Sequence, residues 1–313
     1  MQSDFKGIRS AAVFGAGFIG KHLIKSLVNS GTRVYVYDRN DCPCDLSGVV
    51  NWVKSDFRST ESFAKFLTDV EVVYHLISST FPGDEATGFP CELKDNVVST
   101  LRLIDSSIKS GVRKFIFASS SSVYGASEYS PLTEDTNCHP ISFHGIHKTT
   151  IEQILMMKRQ IGNFDARVLR ISNAYGPGQN INGRQGFVAI AIKSLIDKNP
   201  LIVRDGASTV RDFIYISDIT RALHLAGIVE NAPPILNIGS GIGNKLNDVI
   251  ELLRQGSKLD LKILAKNLRP FDIPVSILDI KLARESIGFA PRVELAEGLF
   301  ETLRYHQLMK QSE

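Results

Sequence analysis

Apolar residues in the first half of the chain fall into short unbroken runs separated by stretches of helical periodicity. SAAVFG is an apolar run after its opening serine and closes on a glycine. FIGKHLIKSLVNSG follows, with Ile19, Leu23, Leu27 and Val28 at helical spacing. Gly31 sits where a helix-stopping glycine belongs, and TRVYVYD reads as a second strand. The unit recurs at DNVVSTLRLIDSSIKSGVRKFIFASS, where Val97, Leu101, Ile104 and Ile108 form a helical stripe, Gly111 caps it and KFIFA is a strand. EVVYHLIS between them reads as another buried strand, and ARVLRIS extends the series after a helix predicted over about 146 to 162. Strands without polar alternation are buried on both faces, which predicts a parallel sheet covered by helices on each side. The fold class expected is α/β, a doubly wound parallel sheet.

Past residue 175 the pattern changes. YGPGQNINGRQG is a glycine-rich loop, VAIAIKSLIDKN a helix, RDFIYISDI a strand and PPILNIGSG a strand with a turn. The last seventy residues mix helices and loops. A smaller mixed C-terminal domain is therefore predicted, from residues 175–211 and 241–313. Residues 1–174, with a return segment around 212–240, form the sheet domain.

The turn after the first strand carries chemistry. GAGFIG is a G-x-G-x-x-G at Gly15, Gly17 and Gly20. Gly15 permits the tight turn, Gly17 the close approach of a pyrophosphate, and Gly20 close packing of helix on strand. Free N–H groups and the positive dipole end at the helix start favour an anion. Asp38 closes the second strand, where a carboxylate accepts from adenosine ribose hydroxyls and repels a 2′-phosphate, so NAD is expected over NADP. Asp56, in KSDF past a third strand, can accept from the adenine amino group.

Composition excludes more than it selects. A net charge of +3 gives no reason to expect nucleic acid or a membrane surface as partner. No apolar stretch reaches membrane-span length, and MQSDFKGIRS lacks a signal peptide's apolar core. Cys42, Cys44, Cys91 and Cys138 fit no zinc or disulfide framework, so reduced thiols in the cytoplasm are expected.

These motifs, with KSDFRS, VVYHLIS, KFIFASSSSVYG, PLTED, RISNAYGPGQ, VRDFIYISDI, LNIGSG, RPFDIP and IGFAPRVELAEGL, run nearly end to end. Together they resemble the extended short-chain dehydrogenase/reductases, in the nucleotide-sugar epimerase/dehydratase branch. The resemblance implies a Rossmann sheet, bound NAD, a nucleotide-diphosphate sugar as substrate and a homodimer. It implies cofactor contacts at Gly15, Gly17, Phe18, Ile19, Gly20, Asp38, Asp56, Phe57, Leu76, Ser78, Asn96 and Lys148. Asn173, Arg211 and Arg269 match substrate positions, the arginines suited to a diphosphate by their fork geometry. Ser120 matches the catalytic serine or threonine, and Lys148 the lysine on the nicotinamide ribose. No metal is implied.

Two departures stand out. Phe14 replaces a glycine before the turn, and FHGIHK places His144 where the family has its catalytic tyrosine. A tyrosine of pKa about 10 needs a neighbouring cation to act at neutral pH, whereas imidazole begins near about 6.5 and is a base unaided. Its shorter reach calls for a water or Ser120 to complete a proton relay. His144 is accordingly the expected acid–base, and Tyr124 is expected to pack. His139, His147 and Cys138 lack the further ligands of a metal site. SSSSVYG has no carboxylate before the VYG, unlike sugar dehydratases. An epimerase is the leading expectation, with a reductase or dehydratase, or a catalytically silent binder, as alternatives.

Overall fold

The computed structural model describes residues 7–79, 89–127, 129–162, 164–183, 185–204, 208–267 and 272–311. Strand β1 (Ser10–Phe14) has every residue buried, as an unbroken apolar run must when helices cover both faces. Ala11 and Val13 point to one side, Ala12 and Phe14 to the other. Around it lie β2 (Arg33–Asp38), β3 (Asn51–Lys54), β4 (Val72–His75), β5 (Lys114–Ser120), β6 (Asp165–Ile171) and β10 (Ile235–Ile238). They form a seven-stranded sheet in the order β10-β6-β5-β4-β1-β2-β3, parallel in every pairing.

The order reverses at β1. The chain runs outward through β2 and β3, then returns to place β4 on the other side of β1. Loops leaving the C-terminal ends of β1 and β4 diverge there and leave a crevice, which is where open α/β sheets bind ligands.

Helix α1 (Phe18–Asn29) and helix α6 (Ile216–Ile228) pack together against one sheet face. The other face carries α3 (Ser99–Lys109) and α4 (Phe143–Ile161). Upstream of α3 the chain is already helical, as α2 (Phe89–Leu93) and a π-helical turn (Lys94–Val98). The crossover from β3 to β4 contains turns and no helix, with Phe63 and Leu67 covering the sheet instead.

Helix α4 starts earlier than its periodicity predicts. Ser142 caps it, its hydroxyl accepting from the Gly145 N–H at 3.2 Å, so His144 lies within the first turn. RDFIYISDI also departs from expectation. Its strand β9 (Val210–Tyr215) joins a small mixed sheet with β7 (Asn173–Tyr175), β11 (Gly243–Lys245) and β13 (Val275–Ser276). The return to the large sheet therefore begins with α6 and ends in β10. Around the small sheet pack α5 (Phe187–Asp197), α7 (Leu246–Ser257) and α9 (Leu295–Gln311), with α8 (Lys281–Ile287) beside β10. Strands β8 (Leu201–Arg204) and β12 (Ile263–Lys266) form a separate parallel pair.

Candidate active site

A cleft of about 740 Å³ opens at the strand-order reversal, between the large sheet and the small one. Gly15, Gly17, Phe18, Ile19 and Gly20 line it from the β1–α1 turn, and Leu76 and Ser78 from the end of β4. Ser120, His144 and Lys148 line it from β5 and α4, and Asn173 and Arg211 from β7 and β9.

The three glycines are required for different reasons. Gly15 has φ +98°, a conformation that penalises a side chain. A Cβ on Gly20 would stand 1.9 Å from the Gly15 carbonyl oxygen, so only glycine lets α1 close on the turn. A Cβ on Gly17 would meet no protein atom within 4 Å. Protein packing does not call for that glycine, whereas a pyrophosphate lying on the turn does. Gly17 is also the N-cap of α1 and brings no side chain to its first N–H groups, which remain directed at the cleft. The turn thus fits a dinucleotide.

Phe14 points away from α1. Its ring is fully buried on the opposite face, stacked on Tyr37 at 5.3 Å and edge-on to Phe63 at 5.4 Å. Asp38 is buried just behind the turn, accepting from the Ala16 N–H at 2.7 Å and the Asn40 N–H at 2.8 Å. A carboxylate has about four acceptor positions, so capacity for a ribose hydroxyl remains.

Asp38, Asp56, Phe57 and Asn96 stand outside the cleft wall. The Asp56 carboxylate is gripped by the Arg58 guanidinium, at 2.6 Å from Nη2, and its pKa is held down at about 2 by that hydrogen bond. The Phe57 ring packs against Phe63 and His75 in the core. Asn96, on the π-helical turn, accepts from the Ser79 N–H at 2.9 Å and donates to the Ser79 hydroxyl at 2.7 Å. It braces the loop after β4 from behind. Arg269 lies outside the described residues.

Lys148 donates to the Ala118 carbonyl at 2.6 Å and sits over the Phe117 ring at 4.6 Å. Burial brings its pKa down to about 8, against the opposing attraction of Glu152. Ser120 accepts from the Ser122 N–H at 3.2 Å. His144 is buried in the first turn of α4, and Gly145 beside it is pressed against the Ser122 carbonyl, 2.6 Å from where a Cβ would lie.

Arg211 donates to the Val210 carbonyl at 2.9 Å and the Pro274 carbonyl at 3.3 Å. Burial lowers its pKa to about 10 despite the pull of Asp272. A guanidinium partly withdrawn from water in this way favours an anionic ligand.

Tyr124 is not a cleft residue. Its hydroxyl donates to Asn237 at 2.6 Å and receives the Arg170 guanidinium at 3.0 Å, and burial pushes its pKa up to about 12. Among the described residues no group of three or more His, Cys, Asp or Glu can hold a metal ion.

Several cleft residues were not among the expected contacts, and three of them carry a polar atom of note. Ser122 Oγ, Ser172 Oγ and Gln179 Oε1 are buried without a partner among the described residues. They lie within SSSSVYG and RISNAYGPGQ, but spacing gives no sign of which members of those motifs face the cleft.

The sequence model of the NAD-dependent epimerase/dehydratase family matches residues 11–239. A dTDP-4-dehydro-6-deoxyglucose reductase of Escherichia coli is 31% identical over 306 residues, covering 93% of this chain and 95% of that one. The structure is similar to a UDP-glucose 4-epimerase with UDP-glucose from Thermotoga maritima, at 31% identity and TM-score 0.89, covering 97% of this chain and all of that one. It is also similar to a UDP-glucuronic acid 4-epimerase of Bacillus cereus in complex with UDP-glucuronic acid and NAD, at 26% identity and TM-score 0.87, covering 96% and 99%.

Proposed function

The chain belongs to the NAD-dependent epimerase/dehydratase family, and from that premise we propose that it is an NAD-dependent nucleotide-sugar epimerase. The observation that carries the reading is one cleft whose wall holds the Gly17 turn, the Ser120–His144–Lys148 group and Arg211 together. The turn and α1 hold the pyrophosphate, Asp38 a ribose, and Lys148 the nicotinamide ribose. Arg211, with Arg269, holds the sugar-nucleotide diphosphate, and Asn173 faces the sugar.

The chemistry bound NAD supplies is reversible acceptance of a hydride. His144 takes the proton of the sugar hydroxyl as that carbon is oxidised to a ketone. After the ring presents its other face, His144 returns the proton as the carbon is reduced, with Ser120 or a water completing the path. Neutral imidazole needs no activation for this at pH 7. Ser121 and Ser122 stand where dehydratases carry an acid, which argues against water elimination.

Apolar side chains support a homodimer through α3 and α4. Ile108 is 41% exposed, Met157 47% and Ile161 77%, a grouping that favours burial against a second copy. Four unpaired cysteines support a reducing, cytoplasmic setting. No described helix is long and apolar enough to cross a membrane.

The test is turnover on a panel of UDP-, GDP- and dTDP-hexoses, their N-acetyl forms and uronic acids, with protein that carries NAD through gel filtration. Interconversion of two epimers with no net change in reduced cofactor is the expected result. A second reading, a 4-keto-sugar reductase, is favoured by the 31% identity to the Escherichia coli reductase. Stoichiometric consumption of reduced cofactor would select it.

A further inference from the structure

Beneath the cleft floor lies a buried ion pair that the chemistry above does not use. Glu152 stands one turn beyond Lys148 on α4 and is 1% exposed, and Arg170 on β6 is 4% exposed. The Arg170 Nη2 donates to Glu152 Oε2 at 2.7 Å, and its Nε lies 3.1 Å from the same oxygen. Glu152 Oε1 accepts a short hydrogen bond from the Ser119 hydroxyl. Arg170 continues to Tyr124 at 3.0 Å and the Glu134 carbonyl at 3.1 Å. Tyr124 in turn reaches Asn237, whose N–H donates to Glu134 Oε1 at 2.7 Å. The network ties α4 to β5, β6 and β10.

Such a pair is an expensive way to hold two elements together, since apolar residues of similar volume often serve stability as well. What it supplies is position. Ser119 sits between Ala118, whose carbonyl receives Lys148, and Ser120 in the cleft wall. The Ser119–Glu152 bond fixes the end of β5 against α4, and with it the spacing of Ser120 from His144 and Lys148. We propose that Glu152, held by Arg170, is a positioning residue that locks the serine strand to the helix bearing His144 and Lys148. The proposal rests on the epimerase reading for its kinetic arm only.

Its carboxylate also acts on Lys148 through space. The groups facing Lys148 are His144, His147 and Glu152 on its own helix and His75 on β4, which it disfavours as a cation. Glu152 faces Arg170 and Cys138 besides. Removing this anion favours loss of the lysine proton at lower pH.

Two variants test this in the full-length chain. Glu152→Gln is expected to lower kcat by about 10²-fold with KM little changed, the size of loss a displaced catalytic group gives. The basic limb of NAD affinity against pH, set by Lys148, should move down by about half a unit or more. Ser119→Ala keeps the ion pair and should lower kcat on the order of tenfold with NAD affinity unchanged. Wild-type kcat in both variants with an unmoved limb overturns the proposal. If Glu152→Gln does not fold, Ser119→Ala decides alone: a lower kcat supports it and an unchanged one overturns it. If the wild type turns over no sugar of the panel, the epimerase reading fails while the NAD limb still judges Glu152.

Discussion

At position 144 an imidazole stands in the cleft wall, and two substitutions separate its chemistry from its packing. His144→Phe fills similar space without a titratable group and should reduce turnover by about 10²- to 10⁴-fold, as loss of a general acid–base does. His144→Tyr supplies a phenol beside Lys148 and should retain or raise activity. NAD affinity should hold in both, because the ribose contact is proposed for Lys148 and not for His144. Turnover of His144→Phe at the wild-type rate would reduce the histidine to a space-filler. Asp38→Ala should weaken NAD binding and narrow its margin over NADP, since no carboxylate then faces a 2′-phosphate. Equal NAD affinity by calorimetry would sink that assignment. Gly15, Gly17, Gly20, Ser120, His144 and Lys148, which the structure gathers along one cleft, were legible as positions because each belongs to a short motif. Glu152 was not. Its partners Ser119 and Arg170 come from two strands of the sheet that α4 covers, and no local spacing announces a bond from helix to sheet. Asn96 was legible as a polar residue near the site, but not as the brace for Ser79 it proves to be.

Single elements carry separate consequences. The β1–α1 turn combines glycines that the protein's own packing needs with one left open for a ligand, and alanine substitutions at Gly20 and Gly17 should tell the two kinds apart. Gly20→Ala forces a methyl within 1.9 Å of the Gly15 carbonyl oxygen and should destabilise the fold by about 1–3 kcal/mol or more. Gly17→Ala meets nothing and should leave the melting temperature in place while weakening NAD at least tenfold. Thermal denaturation and calorimetry on the two proteins check the contrast, and equal NAD binding by Gly17→Ala would show that no phosphate approaches there. Helix and strand identities in the first half were legible from unbroken apolar runs and stepped stripes. The start of α4 was not, because FHG carries little apolar periodicity and the boundary is set by the Ser142 cap. The placement of β9 was hidden too. A strand of FIY type reads alike in either sheet, and only tertiary pairing with Asn173–Tyr175 decides.

For the molecule as a whole, two measurements follow from buried groups and exposed ones. Light scattering at micromolar concentration should give twice the chain mass, and a monomer would refute the α3–α4 interface. Stability should fall in mild acid. Burial holds His75 at about 3 and His224 at about 4 in the folded chain, far below the unfolded value near about 6.5. The unfolded chain therefore binds more protons below pH about 6.5, so the stabilisation is complete above that pH and is lost as pH falls toward the folded values. Glu134 and Asp212, raised by burial, act with opposite sign nearer the carboxylate range. Urea denaturation at pH 5.5 should show roughly 2 kcal/mol less stability than at pH 7, and equal midpoints would contradict it. The order of strands has a further consequence, for synthesis. β6 is flanked by β5 and by β10, whose residues 235–238 arrive long after residue 171 has been made. α6, which covers α1, arrives late as well. A nascent chain thus carries a finished β6 for about sixty residues before β10, the strand that completes the sheet, has been made. Over that interval β6 presents an open edge, and this is the stage at which a chaperone or a neighbouring nascent chain has most to grip.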